Sequence, residues 1–438
     1  MRVILSQVVA LVVCLMLPTA RAVSQTTSQT VTIHNVTIVD VSNGKLARRK
    51  TIVVEGKRIA RIENASEATR ASATIDGTGM FVIPGLWDMH VHAYFSNDTA
   101  RFHGTSEVML PLFIVNGVTG VRDLGSNLEA TLGARDSIAA HQLVGPRMMV
   151  SGPMLDGPTT RYAAAIKVTT GDEARAAVRM LKARGVDLIK VQTLVPRDAY
   201  FALADEAAAI GIPFEGHVPR EITGLEAVRA GQRSFEHMIG VTDTSDALIA
   251  ALAQAKVWQC PTVINSVGTA ADVASDPGLA YWLRPAVEGW RKTAATQAAA
   301  SDSATRVAEQ RATRRLALIK TMYDAKIPFL AGTDAHAGYD LVPGASLHRE
   351  LQLFVRAGLT PLQALQTATL NPAVYFGKTA EWGNIAPGKS ADLVLLSRNP
   401  LEDIANTRRI VAVVADGRYY SPRELDRMRI RILDLVAK

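Results

Sequence analysis

Cysteine is almost missing from this chain: two residues in 438, Cys14 and Cys260, which excludes a disulfide-stapled scaffold. No block of lysine and arginine gathers the formal net charge of +7, so nothing supports nucleic-acid binding. The Pro-Cys-x-x-Cys zinc motif is absent, which disfavours a nucleic-acid deaminase. A long apolar span is lacking as well. Val3 to Pro18 is the one candidate, and it falls short of the ~18–20 residues a membrane helix needs.

That run has another reading. Arg2 precedes it and Ala20-Arg21-Ala22 follows, the pattern of a secretory signal cut after Ala22. Residues 1–22 are therefore expected to be removed, leaving a secreted or periplasmic protein with no membrane association. Cys14 lies within the apolar run without small residues before it, which argues against a lipid anchor.

What remains is 48% hydrophobic and 20% charged, enough to bury a large core and too apolar for a disordered chain. The length suits one large domain and one small one. From Thr32 to about Ile83 β-branched runs alternate with Asn43-Gly44 and Glu55-Gly56-Lys57 turns. The same texture returns in 391–396 and 410–414. Between them short apolar runs alternate with helical stretches of ten to fifteen residues, the rhythm of βα units. Eight strands can be counted: Gly85–Val91, Val118–Asp123, Met148–Met154, Asp187–Val191, Phe214–Val218, Ser234–Met238, Trp258–Val263 and Phe329–Gly332. Eight such units predict an α/β fold, a (β/α)8 TIM barrel over 84–378 with chemistry at the carboxyl ends of its strands. A small β-sandwich domain would form from both chain ends, 23–83 and 379–438. The Ala-rich stretch 265–315 exceeds a normal βα loop and is read as a helical insertion, either a lid or an elaborated outer helix.

Polar residues punctuate the strand ends. His90 and His92 are two apart on the first strand and so share a face. His217 closes the fifth strand, His237 the sixth and Asp334 the eighth. Each alone fits a core histidine or a capping aspartate. Four strand ends converging on one rim is a different matter, and imidazole with carboxylate suits Zn²⁺ or a similar divalent ion. Lys190 ends the apolar strand Asp187-Leu188-Ile189-Lys190-Val191. An ammonium beside metal ions would be repelled, so Lys190 is either a Schiff-base nucleophile or carbamylated by CO2. A carbamate is anionic and can bridge two metals.

This order, His90-x-His92, Lys190, His217, His237 and Asp334, resembles the binuclear amidohydrolase superfamily. Its flanks agree: Val82-Ile83-Pro84-Gly85-Leu86-Trp87-Asp88-Met89-His90, and the return Gly383-Asn384-Ile385-Ala386-Pro387-Gly388-Lys389-Ser390-Ala391-Asp392-Leu393. The nearest branch looks like the imidazolonepropionase-related amidohydrolases, with dipeptidases, carboxypeptidase-like enzymes and mycotoxin amidases. The resemblance implies two divalent metal ions, zinc being expected, with His90, His92 and Asp334 on one and His217 and His237 on the other. A CO2-derived carbamate on Lys190 and a hydroxide would bridge them, and catalytic Asp334 would move the proton.

One loop departs from that pattern. Many peptidases of this branch carry a Gly-Gly-His-type loop after strand three, whereas here Ser151 to Tyr162 holds no histidine. Arg161, Tyr162 and Tyr94 are the substrate-binding candidates. The function expected is hydrolysis of an amide in dipeptides or N-acyl amino acids, with a small or peptide-like substrate and, as an open option, a homo-oligomer. A cyclic amide, lactone or organophosphate hydrolase is the alternative on the same site. A non-catalytic metal-binding protein fits less well, because every ligand-type residue is present.

Overall fold

The computed structural model describes residues 30–437 except 72–73, 96–103, 242–244, 336–340 and most of 268–301. The signal sequence 1–22 and the greater part of the 265–315 insertion lie outside the described residues, as do His103 and His336. Among the described residues no helix is long and apolar enough to cross a membrane.

Both chain ends meet in one eight-stranded sheet. Its order runs Arg418–Tyr420, Ile410–Ala415, Leu393–Leu396, Phe81–Pro84, Val31–Val39, Leu46–Glu55 and Arg58–Asn64, with Ile75–Asp76 also paired to Val31–Val39. The seam between the two ends is antiparallel, Leu393 facing Pro84 and Leu395 facing Val82. β-Branched and aliphatic side chains from both ends, among them Ile33, Ile52, Val54, Val82, Leu393, Leu395 and Val414, form a core of their own. That shared burial commits the C-terminal strands to return to the N-terminal ones.

Phe81–Pro84 passes straight into Leu86–Val91, the first barrel strand. From there parallel pairing proceeds to Val118–Asp123 and Arg147–Val150. Asp187 N–H donates to the Val150 carbonyl at 2.8 Å and carries the ring onward. Ile189–Val191, Phe214–Gly216, Ser234–Glu236 and Trp258–Cys260 follow in parallel register. The eighth station is not a continuous strand. It joins its neighbours through the bridges Gln259–Phe329 and Val91–Ala335. The Asp334 N–H donates to the His90 carbonyl at 2.7 Å and closes the barrel.

Eight predicted strands thus become eight stations, most of them shorter than the apolar runs suggested. Several runs give up their last residues to a loop, and His217 and His237 sit just past Phe214–Gly216 and Ser234–Glu236, whereas His90 lies within Leu86–Val91. Helices of the length the βα rhythm predicts occupy Gly171–Ala183 and Arg197–Ala209. Thr360 caps Pro361–Thr367 in a reciprocal capping box with Gln363. The C-terminal helix Pro422–Val436 lies back against the barrel's outer layer, Leu425, Ile432 and Val436 being buried in its core.

Candidate metal centre

The barrel's carboxyl rim gathers four imidazoles. Their rings form a chain, with centroids 5.3 Å apart for His92 and His90, 4.7 Å for His90 and His237, and 5.0 Å for His237 and His217. Each ring has its Nδ1 occupied: His90 by Glu236 Oε2 at 2.6 Å, His92 by the Gly125 carbonyl at 2.9 Å, His217 by Thr193 Oγ1 at 2.8 Å and His237 by Thr262 Oγ1 at 2.6 Å. Such partners hold a metal-binding histidine in one tautomer and leave Nε2 as the ligand atom.

Asp334 sits among the free Nε2 atoms. Its Oδ1 is 3.3 Å from His90 Nε2 and 3.0 Å from His92 Nε2, while its Oδ2 is 4.0 Å from His237 Nε2. Ligand atoms around one tetrahedral ion with bonds of ~2.0–2.1 Å lie about 3.3 Å from each other. His90, His92 and Asp334 therefore have the spacing of a metal site. His90 Nε2 and Lys190 Nζ are buried without a hydrogen-bond partner among the described residues. Two orphaned polar atoms at one rim fit a site that holds a metal ion.

Local backbone serves this arrangement. His237, Thr262 and Asp334 have φ of 58°, 43° and 61°, left-handed values that cost a non-glycine residue ~1–2 kcal/mol each. Strain of this kind collects where side chains must be aimed. Two glycines give the room. A Cβ on Gly216 would stand 2.9 Å from Lys190 Cδ and 2.2 Å from the Val191 carbonyl, and one on Gly332 would meet His90 Cβ at 2.8 Å.

Electrostatics prepare the groups for ligation. Burial, reinforced by the neighbouring Lys190, His237 and His90, holds His217 well below its ordinary value. Burial likewise pushes His237 down to about 3. Both imidazoles are thus neutral at physiological pH, the form that binds metal. Burial would raise the Asp334 carboxyl, but the surrounding imidazoles of His237, His90 and His92 outweigh it and hold the group well below its ordinary value. Lys190 is lowered, first by burial and then by Arg122, although Glu236 and Asp334 oppose this.

A profile of the amidohydrolase family matches residues 81–419, well over half of the chain. The chain belongs to the amidohydrolase family. This amidohydrolase is 27% identical to ochratoxinase of Aspergillus niger, over 87% of its own length and 84% of that protein's. Among solved structures it is similar to bottromycin amidohydrolase, with a TM-score of 0.74 and 25% identity, covering 93% of this chain and 90% of that one. It also resembles a putative prolidase from Bifidobacterium longum, with a TM-score of 0.71 and 27% identity over 92% and 99%.

All six ligand-type residues read from the sequence of this amidohydrolase meet at the rim. The three substrate candidates do not converge so tightly. Arg161 is exposed and lies over the Tyr162 ring, 5.2 Å from its centroid. Tyr162 meets Phe95 edge-on at 5.7 Å, and Phe95 packs on His92 at 5.4 Å. Tyr94 turns its hydroxyl to Ser106 Oγ at 2.8 Å. Sequence reasoning passed over Arg122, Glu215 and Glu236. The fully buried Arg122 bonds the Met89 carbonyl, Glu215, Ser234, Tyr375 and Glu236 beneath the histidines. Charged residues within otherwise apolar barrel strands were the available signal.

Proposed function

We propose that the protein is an exported, binuclear metal-dependent amidohydrolase that cleaves the amide of dipeptides or N-acyl amino acids. His90, His92 and Asp334 hold one divalent ion and His217 and His237 the other, zinc being the expected metal. A carbamate formed from CO2 and the Lys190 amine, with loss of a proton, would supply a further anionic ligand. The observation that carries the reading is the set of four imidazoles, each fixed at Nδ1 and open at Nε2 around Asp334. The buried, partnerless Lys190 amine supports the carbamate, because a lowered pKa favours the neutral form that adds CO2.

Two such ions supply water activated towards neutral pH and a polarised scissile carbonyl. The chain's own groups do the rest. Asp334 Oδ1 faces His90 and His92, leaving Oδ2 to take the water's proton and give it to the departing nitrogen. Glu236, Thr193 and Thr262 keep the imidazoles from turning. Arg161, stacked on Tyr162 beyond Phe95, is offered to a substrate carboxylate, with Tyr94 and Tyr162 lining the approach. The similarity to bottromycin amidohydrolase and to a putative prolidase is in keeping with this choice. The eight-stranded sheet built from both chain ends, with its separate core, is taken as the small domain beside the barrel.

The test is a zinc-loaded preparation of residues 23–438 assayed against dipeptides, N-acyl amino acids, their C-terminal amides, lactones and adenine. Carboxylate-bearing amides should be hydrolysed by protein holding two metals per chain. Asp334→Asn should retain most of the metal and lose about 100- to 10,000-fold in turnover. Turnover of lactones or adenine alone, or full activity with one metal, would overturn the proposal.

A further inference from the structure

The loop after the seventh barrel strand touches the centre at two points. Thr262 holds His237 Nδ1, and Asn265 Nδ2 donates to Asp334 Oδ2 at 3.0 Å. The loop itself is clamped. Glu350, buried in the helix Ala345–Arg356, accepts the N–H groups of Val263 and Ile264, each at 2.8 Å. Arg315 donates to the carbonyls of His237 at 2.7 Å and Pro261 at 3.0 Å. Asn265 is exposed at the barrel mouth, so its side chain adds little to packing, yet its amide is aimed at the carboxylate.

The two Asp334 oxygens consequently keep different company. Oδ1 is turned to His90 and His92, whereas Oδ2 takes the Asn265 amide and stands 4.0 Å from His237 Nε2. A carboxylate free to rotate could bring both oxygens onto a cation and leave neither for a proton.

We propose that Asn265 is a positioning residue that fixes the orientation of Asp334 Oδ2 and keeps that oxygen available for proton transfer. This rests on the reading of Asp334 as the group that moves the proton. In that step a water O–H bond breaks and an Oδ2–H bond forms. The Oδ2–H bond then breaks as an N–H bond forms on the leaving amine, and the carboxylate is restored. The Asn265 N–H bond persists throughout, because a protonated Oδ2 keeps a lone pair to accept it.

The experiment compares Asn265→Ala, Asn265→Asp and Asn265→Gln in zinc-loaded enzyme, on whichever substrate the wild type turns over. Asn265→Ala should lower kcat about 10- to 100-fold, the range for a hydrogen bond to a charged group, with KM changed less than about 2-fold. Asn265→Asp matches the shape but has no donor and adds a like charge, so it should fall at least as far. Asn265→Gln keeps the donor and should recover part of the loss. Metal content and melting temperature should match wild type in all three. A purely structural role predicts the opposite order, with the isosteric Asp variant milder than Ala, and that order or an unchanged kcat would overturn the proposal. Inactivity of the wild type on every amide would refute the amidohydrolase reading instead. The placement of Asn265 is then tested by a crystal structure of zinc-loaded protein, where an Asn265 Nδ2 beyond about 3.5 Å from both Asp334 oxygens removes the inference.

Discussion

Glu236 and His90 are joined by a 2.6 Å bond between a carboxylate oxygen and Nδ1, both side chains being fully buried. The other Glu236 oxygen takes the Arg122 guanidinium at 2.9 Å and the Ser234 hydroxyl at 2.6 Å. Arg122 also pairs with Glu215 at 2.6 Å. A metal-facing imidazole is therefore backed by a buried charge network that begins at the barrel's second strand. Arg122 and His90 hold the Glu236 carboxyl far below its ordinary range against the effect of burial.

Glu236→Gln should reduce metal affinity about 10- to 100-fold, as losses behind a metal-bound histidine do. Chelator competition measures it, and an unchanged affinity would show that the carboxylate does not act through His90. Arg122→Ala strands two buried carboxylates and should cost about 3–5 kcal/mol in denaturant unfolding. Arg122→Lys should restore little, because one ammonium cannot span the five acceptors that the guanidinium reaches.

Lys190→Ala should abolish turnover, whereas Lys190→Glu should keep a fraction, since a carboxylate can imitate a bridging carbamate. Apo-protein reconstituted with zinc should regain more activity when bicarbonate is supplied. Equal activity for Lys190→Ala and wild type would end the carbamate assignment.

The ligand-type residues were legible because strand ends announce themselves: His90, His92, Lys190, His217, His237 and Asp334 each close an apolar run. Their supports were not. Thr193 stands 24 residues from His217, Thr262 stands 25 from His237, and Glu236 stands 146 from His90. Such pairings exist only once the barrel closes. The left-handed backbone at His237 and Asp334 carries no glycine to signal it, and the short strands reflect loops that begin inside the apolar runs. The barrel was readable from its βα rhythm, while the eighth station's bridges replace a strand that the sequence pattern suggested.

His348 supplies a pH dependence far from the metal centre. It is buried, with Nε2 3.0 Å from the Asn116 carbonyl and Nδ1 3.0 Å from Thr407 Oγ1. Burial first, then the charge of Arg408, pushes it down to about 3. The unfolded chain takes up this proton near pH 6.5 and the folded one does not. The stability His348 contributes is thus complete above pH 6.5 and is lost as pH falls towards 3, about 2 kcal/mol of it by pH 5. Glu350, raised by burial to about 8, works in the other direction, losing stability as pH rises from 4.5 to 8. The decisive comparison is therefore wild type against His348→Gln in denaturant unfolding at pH 7 and pH 5. The variant should lose about 2 kcal/mol less over that interval, and an equal loss would assign the acid sensitivity to other groups.

Selectivity for a free carboxylate should reside in Arg161. Its guanidinium stacks on Tyr162, and the contact chain Tyr162–Phe95–His92 leads from that ring to the metal-facing imidazoles. Arg161 Nη2 donates to the Tyr162 hydroxyl at 3.2 Å, and stacking on an aromatic face holds the arginine at low entropic cost while leaving its other N–H groups for a carboxylate. The side chain is exposed, so its removal should leave folding untouched. Binding energy gained at a remote carboxylate is common to ground and transition states, and its loss appears in KM rather than kcat. Arg161→Ala should accordingly raise KM about 10-fold for dipeptides and N-acyl amino acids, the size of one charge-assisted hydrogen bond. The matching C-terminal amides should be unaffected, and Arg161→Lys should recover only part of the loss because it cannot bind bidentately. If Arg161→Ala weakens acids and amides alike, Arg161 shapes the mouth rather than reading charge. If it weakens neither, the carboxylate is read elsewhere on the rim.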